Sequence, residues 1–351
     1  MKIETWMINA RVDNAPDVER IYEKRIEDID VKLGPTEMLL KTLYVTVDPF
    51  LYGLAKIIPL GEHAPGVSIM EVIDAGPEAP YRPGDMVEGF GGWRTHLIWD
   101  GGRYQRMTAH GLFDKPAYRL LNPAHFDEAL PLSTALSAMG NSGLTAWGTL
   151  RKYFTVKPGD CVVISGATGP VGMLLGQLAK RAGASVVGTT STLAKVDYLK
   201  SLGFDHALLY NSGDGVDPSD ALREAAPNGI DKYFDNLGGT FTDAVFPMLN
   251  NHSQVAVSWQ WDNFVNGGGN GPHLLAHIIQ NSVTIRGIWA QNWVAKENYD
   301  AMHDELGNMI RRGEIRYDQT VFHGFDNIPK TYKRLFGSDR ETIRGKLIVK
   351  L

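Results

Sequence analysis

The chain has 351 residues, 43% of them hydrophobic and 21% charged, with a formal net charge of −5. That is the balance of an ordinary soluble protein long enough for two domains with separate cores. No Lys/Arg cluster offsets the negative charge, so nothing points to a nucleic-acid partner, and no apolar run approaches the ~20 residues of a membrane span. The single cysteine, Cys161, excludes an internal disulfide framework and a cysteine-rich zinc knot. It opens the apolar run CVVIS and reads as a small buried hydrophobe. The N-terminal MKIETWMINARVD lacks the apolar core of a secretion signal, so the expected location is cytosolic.

In chain order, residues 1 to about 130 carry short β-type runs between Gly/Pro turns. MLLKTLYVTV and SIMEVIDAG are strands, and YRPGDMVEGFGGW is a turn, a strand and a turn. This predicts a mostly β, barrel-like first domain. From about residue 143 the texture changes to strand–helix alternation. CVVIS, ASVVGTT, HALLY, IDKYFDN, SQVAVS and VTIRGIW are strands. The intervening helices are PVGMLLGQLAKRAG, TLAKVDYLKSLG, PSDALREAA, TFTDAVFPML and HLLAHIIQ. Six apolar strands separated by helices predict a doubly wound parallel six-stranded sheet. KENYDAMHDELGNMIRRG reads as one amphipathic helix, NGGGNG at 266–271 as a flexible loop, and KLIVKL as a last strand returning to the first domain. The predicted division is 1–130 completed by 316–351, with 131–315 between.

The first strand of the second domain runs into SGATGPVG, with Gly166, Gly169 and Gly172. Small residues between a strand and a helix allow a tight turn, let backbone approach a pyrophosphate, and expose the helix N-terminus to it. A dinucleotide site is therefore expected here. An NAD site usually has an acid about 20 residues further on, bonding the adenosine ribose. Here the second strand ends in hydroxyls, Thr190 and Ser191, with no acid until Asp197. Lys195 follows just inside the next helix, where its ammonium could meet a 2′-phosphate, the competing reading being a solvated surface lysine. The expected cofactor is NADPH.

Metal chemistry finds little support in the residues. GEHAPG offers Glu62 and His63 without a cysteine in that domain, and His273 and His277 lack the glutamate of a helical metalloprotease motif. No metal site is expected. The stretch SWQWDNF at 258–264 sets flat rings beside polar groups. Trp261, Phe264, Trp289 and Phe50 are candidates to border a nicotinamide and suit a conjugated or aromatic small molecule, although large rings more often fill cores.

GNSGLTAWGTL, the run from VKPGDCVVISGATGPVG to DHALLYN, and GIDKYFDNLGG together resemble the medium-chain dehydrogenases/reductases. More closely, they are similar to the zinc-independent branch of leukotriene B4 12-hydroxydehydrogenases, prostaglandin reductases, double-bond reductases and curcumin reductases. VTVDPFLYG resembles that branch's Asp-Pro-Tyr-Met-Arg signature, and RGKLIVKL its C-terminal ending. The resemblance spans essentially the whole chain. It implies a GroES-like first domain, completed by the C-terminal segment, and a Rossmann domain. By position it places Thr168, Gly169, Pro170 and Val171 at the pyrophosphate, Lys195 at the 2′-phosphate and Tyr210 beside the adenosine. Asn236 falls near the nicotinamide ribose, and the backbones of Ser258, Trp259 and on to Phe264, and of Ile288, Trp289 and Ala290, along the nicotinamide half. A homodimer is implied by the same analogy.

The implied reaction is hydride delivery from NADPH to the β-carbon of an α,β-unsaturated ketone or aldehyde. Two positions depart from the family pattern. The Asp-Pro-Tyr tyrosine is Phe50, and the tyrosine after the fifth strand is Phe264; a phenyl ring donates no hydrogen bond. Gly-Met-Pro-Gly is replaced by GNSG, with Asn141 and Ser142, and the C-terminal asparagine falls at Ile343. Tyr52, sharing a face with Phe50 if that segment is a strand, and Asn141 are candidate replacement donors, with the cofactor's own ribose hydroxyl acting alone as the third reading. A carbonyl or quinone reductase, an allylic-alcohol dehydrogenase, and a non-catalytic NADPH-binding protein stay open as alternatives.

Overall fold

The computed structural model describes residues 1–12, 15–99, 103–108, 111–116, 118–210, 215–261, 275–337 and 342–351, with backbone alone at 15–16, 103–108, 111–116 and 275. The chain opens with an antiparallel pair, β1 (Lys2–Ile8) and β2 (Tyr22–Asp28). Then follow β3 (Met38–Thr46), α1 (Phe50–Ile57), β4 (Ser68–Ala75), β5 (Met86–Gly89) and β6 (His96–Trp99). The hairpin β7 (Arg103–Thr108) and β8 (Gly111–Pro116) and the short β9 (Tyr118–Leu120) come next.

The helix α2 (Asn141–Lys152) precedes the alternating region. That region holds β10 (Cys161–Ile164), α3 (Pro170–Arg181), β11 (Ser185–Thr190), α4 (Leu193–Ser201), β12 (His206–Leu209) and α5 (Ser219–Ala225). It continues through β13 (Ile230–Asp235), α6 (Gly239–Val245), β14 (Leu249–Val257), α7 (Leu275–Gln280) and β15 (Thr284–Gly287). Last come α8 (Lys296–Met302), α9 (Asn308–Arg311), β16 (Gln319–His323), α10 (Ile328–Lys333) and β17 (Lys346–Lys350).

Contacts divide the chain into one unit of Met1–Leu136 with Thr320–Leu351 and a second of Ser137–Gln319. The first holds a seven-stranded sheet of order β16-β17-β3-β4-β5-β9 with β6 on β3, antiparallel at each of β17–β3, β3–β4, β3–β6, β4–β5 and β5–β9. The C-terminal strand KLIVK thus completes the sheet of the N-terminal unit, as its apolar sequence predicts. A buried ion pair between Lys346 on β17 and Asp48, just past β3, fastens the same junction.

The second unit contains the six predicted strands as one parallel sheet, order β12-β11-β10-β13-β14-β15. Alternation along the strands gives each face its own side chains. Val163, Val187, Tyr233 and Val255 meet Leu222 and Ala225 of α5 and Phe241 and Val245 of α6 in one dry cluster. The order reverses between β10 and β13, and ligands of such sheets bind outside the carboxyl ends of the strands at that switch point.

Two local expectations are corrected. Residues 50–57 form a helix, not a strand. Pro49 sits in helical conformation (φ −56°, ψ −36°) and starts the turn, while Leu51, Tyr52 and Ala55 bury one face. At ~100° per residue, Phe50 and Tyr52 point ~200° apart and share no face. The long helix read over 296–312 is interrupted by a π-turn at His303–Gly307, in which Glu305 accepts from Trp147 Nε1 at 2.8 Å.

In the first unit, burial and the neighbouring Arg94 hold the His63 imidazole down to about 4. An unfolded histidine titrates near 6.5, so below that pH the unfolded chain binds the extra proton. Stability is expected to fall as pH drops from about 6.5 toward 4, by up to about 3 kcal/mol for this group. Urea midpoints at pH 7, 5 and 4 test this. His63→Gln should flatten the slope, and an unchanged slope would clear His63 of the effect.

Candidate functional site

Strand β10 ends at Ile164, and the chain turns at once. Ser165 donates its N–H to Phe234 O at 3.1 Å, and Gly166 donates to Thr189 Oγ1 at 2.9 Å. Gly166 has φ +63°, the left-handed region where a Cβ is strained. Gly169 caps α3, Pro170 takes its first turn, and no side chain caps it, so the amides of its first turn are left for a ligand at the loop. A Cβ on Gly169 would meet only Gly166 O, at 3.3 Å, whereas one on Gly172 would lie 2.7 Å from Ala167 Cα. One glycine therefore turns the chain, one leaves the ligand side open, and one seats the helix on the loop. Val171, beside it in the first turn of α3, is partly exposed.

At the end of β11, Thr190 Oγ1 lies 3.4 Å from Thr168 Oγ1 across the crevice. Ser191 and Thr192 lead into α4, and Thr192 Oγ1 is shielded from solvent with no partner among the described residues. Lys195, in the first turn of α4, is only 7% exposed, which is not the environment of a solvated lysine. A hydroxyl, an ammonium and a positive helix end, with no acid on the strand tip, form a donor set suited to a phosphate dianion. These residues fit NADPH: the glycine loop would hold its pyrophosphate, and Thr192 and Lys195 its 2′-phosphate. Tyr210 is placed differently. Its N–H donates to Thr190 O at 2.8 Å, but its ring packs in the core 5.1 Å from Phe241.

At the end of β13, Asn236 borders the loop; a Cβ on Gly166 would lie 3.7 Å from its Cβ. Asn236 N donates to Ser165 Oγ at 2.8 Å and its Nδ2 to Ser165 O at 3.3 Å. The segment after β14 is tied to the same corner. Ser258 N and Trp259 N donate to Asp235 O at 2.9 and 3.3 Å, and Trp261 N donates to Asn236 O at 3.1 Å. Beyond β15, Ile288 N donates to Val257 O at 2.7 Å. Ile288 and Ala290 are buried, and Trp289 between them is 51% exposed.

The structure thus gathers Gly166 to Gly172, Thr190 to Lys195, Asn236, Ser258 to Trp261 and Ile288 to Ala290 around the carboxyl ends of one sheet. Phe264 lies outside the described residues, as does NGGGNG. Phe50 and Tyr52 belong to the first unit. Tyr52 is buried, and its hydroxyl donates to Val12 O at 3.3 Å. Asn141, first residue of α2, is exposed in its unit. Partial burial, with the nearby carboxylates of Asp231, Asp205 and Asp160, pushes the Cys161 thiol up to about 12, which leaves it unreactive. Among the described residues no three His, Cys, Asp or Glu side chains are grouped as a metal site would need, and no helix is long and apolar enough to cross a membrane.

Sequence reasoning missed Ser165, Thr192, Asp235 and Gln260. Asp235 had a signal: an acid closing a buried apolar strand must find donors or pay heavily for its burial. Here it finds Tyr233 Oη at 3.0 Å, Gly238 N at 2.8 Å, Leu237 N at 3.1 Å, Thr242 Oγ1 at 3.0 Å and Gln260 Nε2 at 2.7 Å.

Residues 170–308 match the family described as "Zinc-binding dehydrogenase". Rat prostaglandin reductase 1 is 30% identical over 100% of this chain and 99% of its own length. Tobacco 2-alkenal reductase (NADP(+)-dependent) is 28% identical over 90% of this chain and 89% of its own. The crystal structure of CurA from Vibrio vulnificus in complex with NADPH superposes with a TM-score of 0.80 at 25% identity, covering 99% of this chain and 98% of that one. The chain belongs to the prostaglandin reductase and 2-alkenal reductase family of the medium-chain dehydrogenase/reductase superfamily, with its GroES-like and Rossmann folds.

Proposed function

We propose that the protein is an NADP-dependent oxidoreductase that reduces the C=C bond of α,β-unsaturated ketones and aldehydes. The carrying observation is the β11–α4 corner, with Thr192 Oγ1 and buried Lys195 where an NAD enzyme would carry an acid. When bound, NADPH supplies the hydride. The chain's task is to hold the cofactor at the loop and the strand ends, to keep a flat conjugated substrate against it, and to stabilise the enolate oxygen as charge develops. Trp261 and Trp289 are the rings assigned to that surface. Asn141 is assigned as a hydrogen-bond donor to the oxygen, since a carboxamide can donate but cannot give up a proton.

Tyr52 loses the geometric argument made for it, because α1 turns it away from Phe50. Tyr52→Phe is expected to leave kcat near that of the parent and to cost about 1 kcal/mol of stability, the net worth of one hydrogen bond. A fall in kcat of ~10²-fold or more, the size of a lost general acid, would return Tyr52 to catalysis.

The reading is tested by NADPH oxidation with enones, enals, quinones, saturated aldehydes and alcohols, with product identification. Saturation of C=C with the carbonyl intact is expected. Reduction of the carbonyl alone in a compound bearing both groups would overturn it. No metal is needed in this scheme, since the sequence's one cysteine lies on β10 of the second unit and the first unit has no Gly-His-Glu motif; dialysis against EDTA should leave turnover unchanged.

A cytosolic homodimer completes the proposal. All four residues of β15, the outer strand of the six-stranded sheet, are exposed, Ile285 among them. An edge strand is a template on which a second copy can pair. Ile285→Lys should shift the mass measured by light scattering from dimer to monomer, and a monomeric parent protein would end this part.

A further inference from the structure

We propose that Asp235 and Gln260 form a positioning pair that, with the backbone bonds of the same corner, fixes the aromatic segment Trp259–Trp261 at the crevice and so the nicotinamide half of the site. The inference rests on the reading of the crevice as an NADPH site. It goes beyond the resemblance, which pointed to Asn236 and to the backbone of the segment only.

The carboxylate of Asp235 is 1% exposed. Its two oxygens divide their work. Oδ1 accepts from Tyr233 Oη, Leu237 N and Gly238 N at 3.0, 3.1 and 2.8 Å, with Ser165 Oγ further off at 3.5 Å. Those contacts shape the turn leaving β13 and link it to the end of β10. Oδ2 accepts from Thr242 Oγ1 at 3.0 Å, on α6, and from Gln260 Nε2 at 2.7 Å, beyond β14. Gln260 is the side-chain link between the carboxylate and the loop, whose backbone amides at 258, 259 and 261 already bond this corner. A buried carboxylate is far more rigid than an exposed one, since every alternative orientation leaves donors unsatisfied. The same turn carries Asn236 N and Leu237 N onto Ser165 Oγ, at 2.8 and 3.2 Å. Side chains from β10, β13, α6 and the loop after β14 thus converge on Asp235.

The polarity of the contact supplies the test. In Gln260→Glu a second carboxylate faces Oδ2, so the pair repels. In Asp235→Asn/Gln260→Glu the polarity is reversed. The asparagine Oδ1 keeps the Tyr233, Leu237 and Gly238 bonds. Its Nδ2 donates to Thr242 Oγ1 and to the glutamate, while the Thr242 hydroxyl turns to Tyr233 Oη, 2.9 Å away. Each of the contacts named above keeps a donor and an acceptor.

The measurements are kcat with an enone, and dissociation constants for NADPH and for adenosine 2′,5′-bisphosphate, which has the adenosine half alone. Gln260→Glu is expected to lower kcat and weaken NADPH by about tenfold or more, the scale of a hydrogen bond to a charged group, with bisphosphate affinity kept. The swapped double variant should recover most of both losses. Retention of bisphosphate binding reports a folded unit, so a merely structural defect would be seen as its loss. Unchanged kcat and NADPH affinity in Gln260→Glu, or a double variant that binds the bisphosphate normally yet recovers neither, would overturn the pair. If the parent protein turns over no enone, the reductase reading fails separately, and the pair is judged by the NADPH-to-bisphosphate affinity split.

Discussion

Lys195→Ala should weaken NADPH binding by roughly 10- to 150-fold, equivalent to 1.5–3 kcal/mol for a charge-assisted contact, while changing NADH affinity little. The size follows from where the ammonium sits. Lys195 is almost wholly shielded from solvent, in the first turn of α4, and Thr192 Oγ1 nearby is shielded too. Charges in such a place are less screened than on the surface, and the helix end adds its own positive potential. Thr192→Val, removing one neutral donor from the same corner, should cost less, about 0.5–1.5 kcal/mol, again against NADPH alone. Fluorescence titration with both cofactors measures the ratio. Equal weakening of NADH and NADPH would take the 2′-phosphate away from Lys195.

Much of this corner was legible before any coordinates, because the physics is local. Six apolar runs bounded by turns, each followed by a helical period, leave a parallel sheet as the arrangement that buries them, and all six appear in it. Glycines at 166, 169 and 172 between a strand and a helix have few other uses. The missing acid after β11 is also a fact of sequence. What escaped depends on tertiary partners. Phe50-Leu51-Tyr52 follows Asp48-Pro49 and carries apolar residues at nearly every place, so a two-residue period and a helical one fit equally well. Its helix emerges only through the burial of Leu51, Tyr52 and Ala55 together. Tyr210 follows a strand, as an adenosine neighbour should, yet Phe241, 31 positions away, draws its ring into the core. Gln260 is an unremarkable glutamine until Asp235, 25 positions earlier, is seen beside it. Local pattern reveals elements and loops, whereas the partner of a side chain is a long-range fact.

Gly172→Ala should damage both cofactors alike, which separates it from Lys195→Ala. The added Cβ would stand 2.7 Å from Ala167 Cα and 3.0 Å from Ala167 O, distances that real Cβ atoms hardly adopt. Both obstructing atoms are backbone in the loop itself, so no side chain can rotate out of the way. Either α3 lifts off the loop or the loop deforms. Overpacking of this kind costs about 1–3 kcal/mol, or a melting temperature lower by roughly 3–10 °C for a unit of this size. The consequence for binding is larger than for folding, because the loop backbone and the first turn of α3 are the groups assigned to the pyrophosphate, and a displacement of a few tenths of an ångström lengthens several hydrogen bonds together. NADPH and NADH share that pyrophosphate, so both should weaken by about tenfold or more. Gly53→Ala serves as the contrast, since among the described residues nothing lies within 4 Å of its added Cβ and the residue is in α1. It should gain about 0.5–1 kcal/mol from reduced backbone freedom and bind cofactor as the parent does. Should Gly172→Ala melt like the parent and hold NADPH as tightly, the glycine would be a passenger and the loop would not be the pyrophosphate cradle.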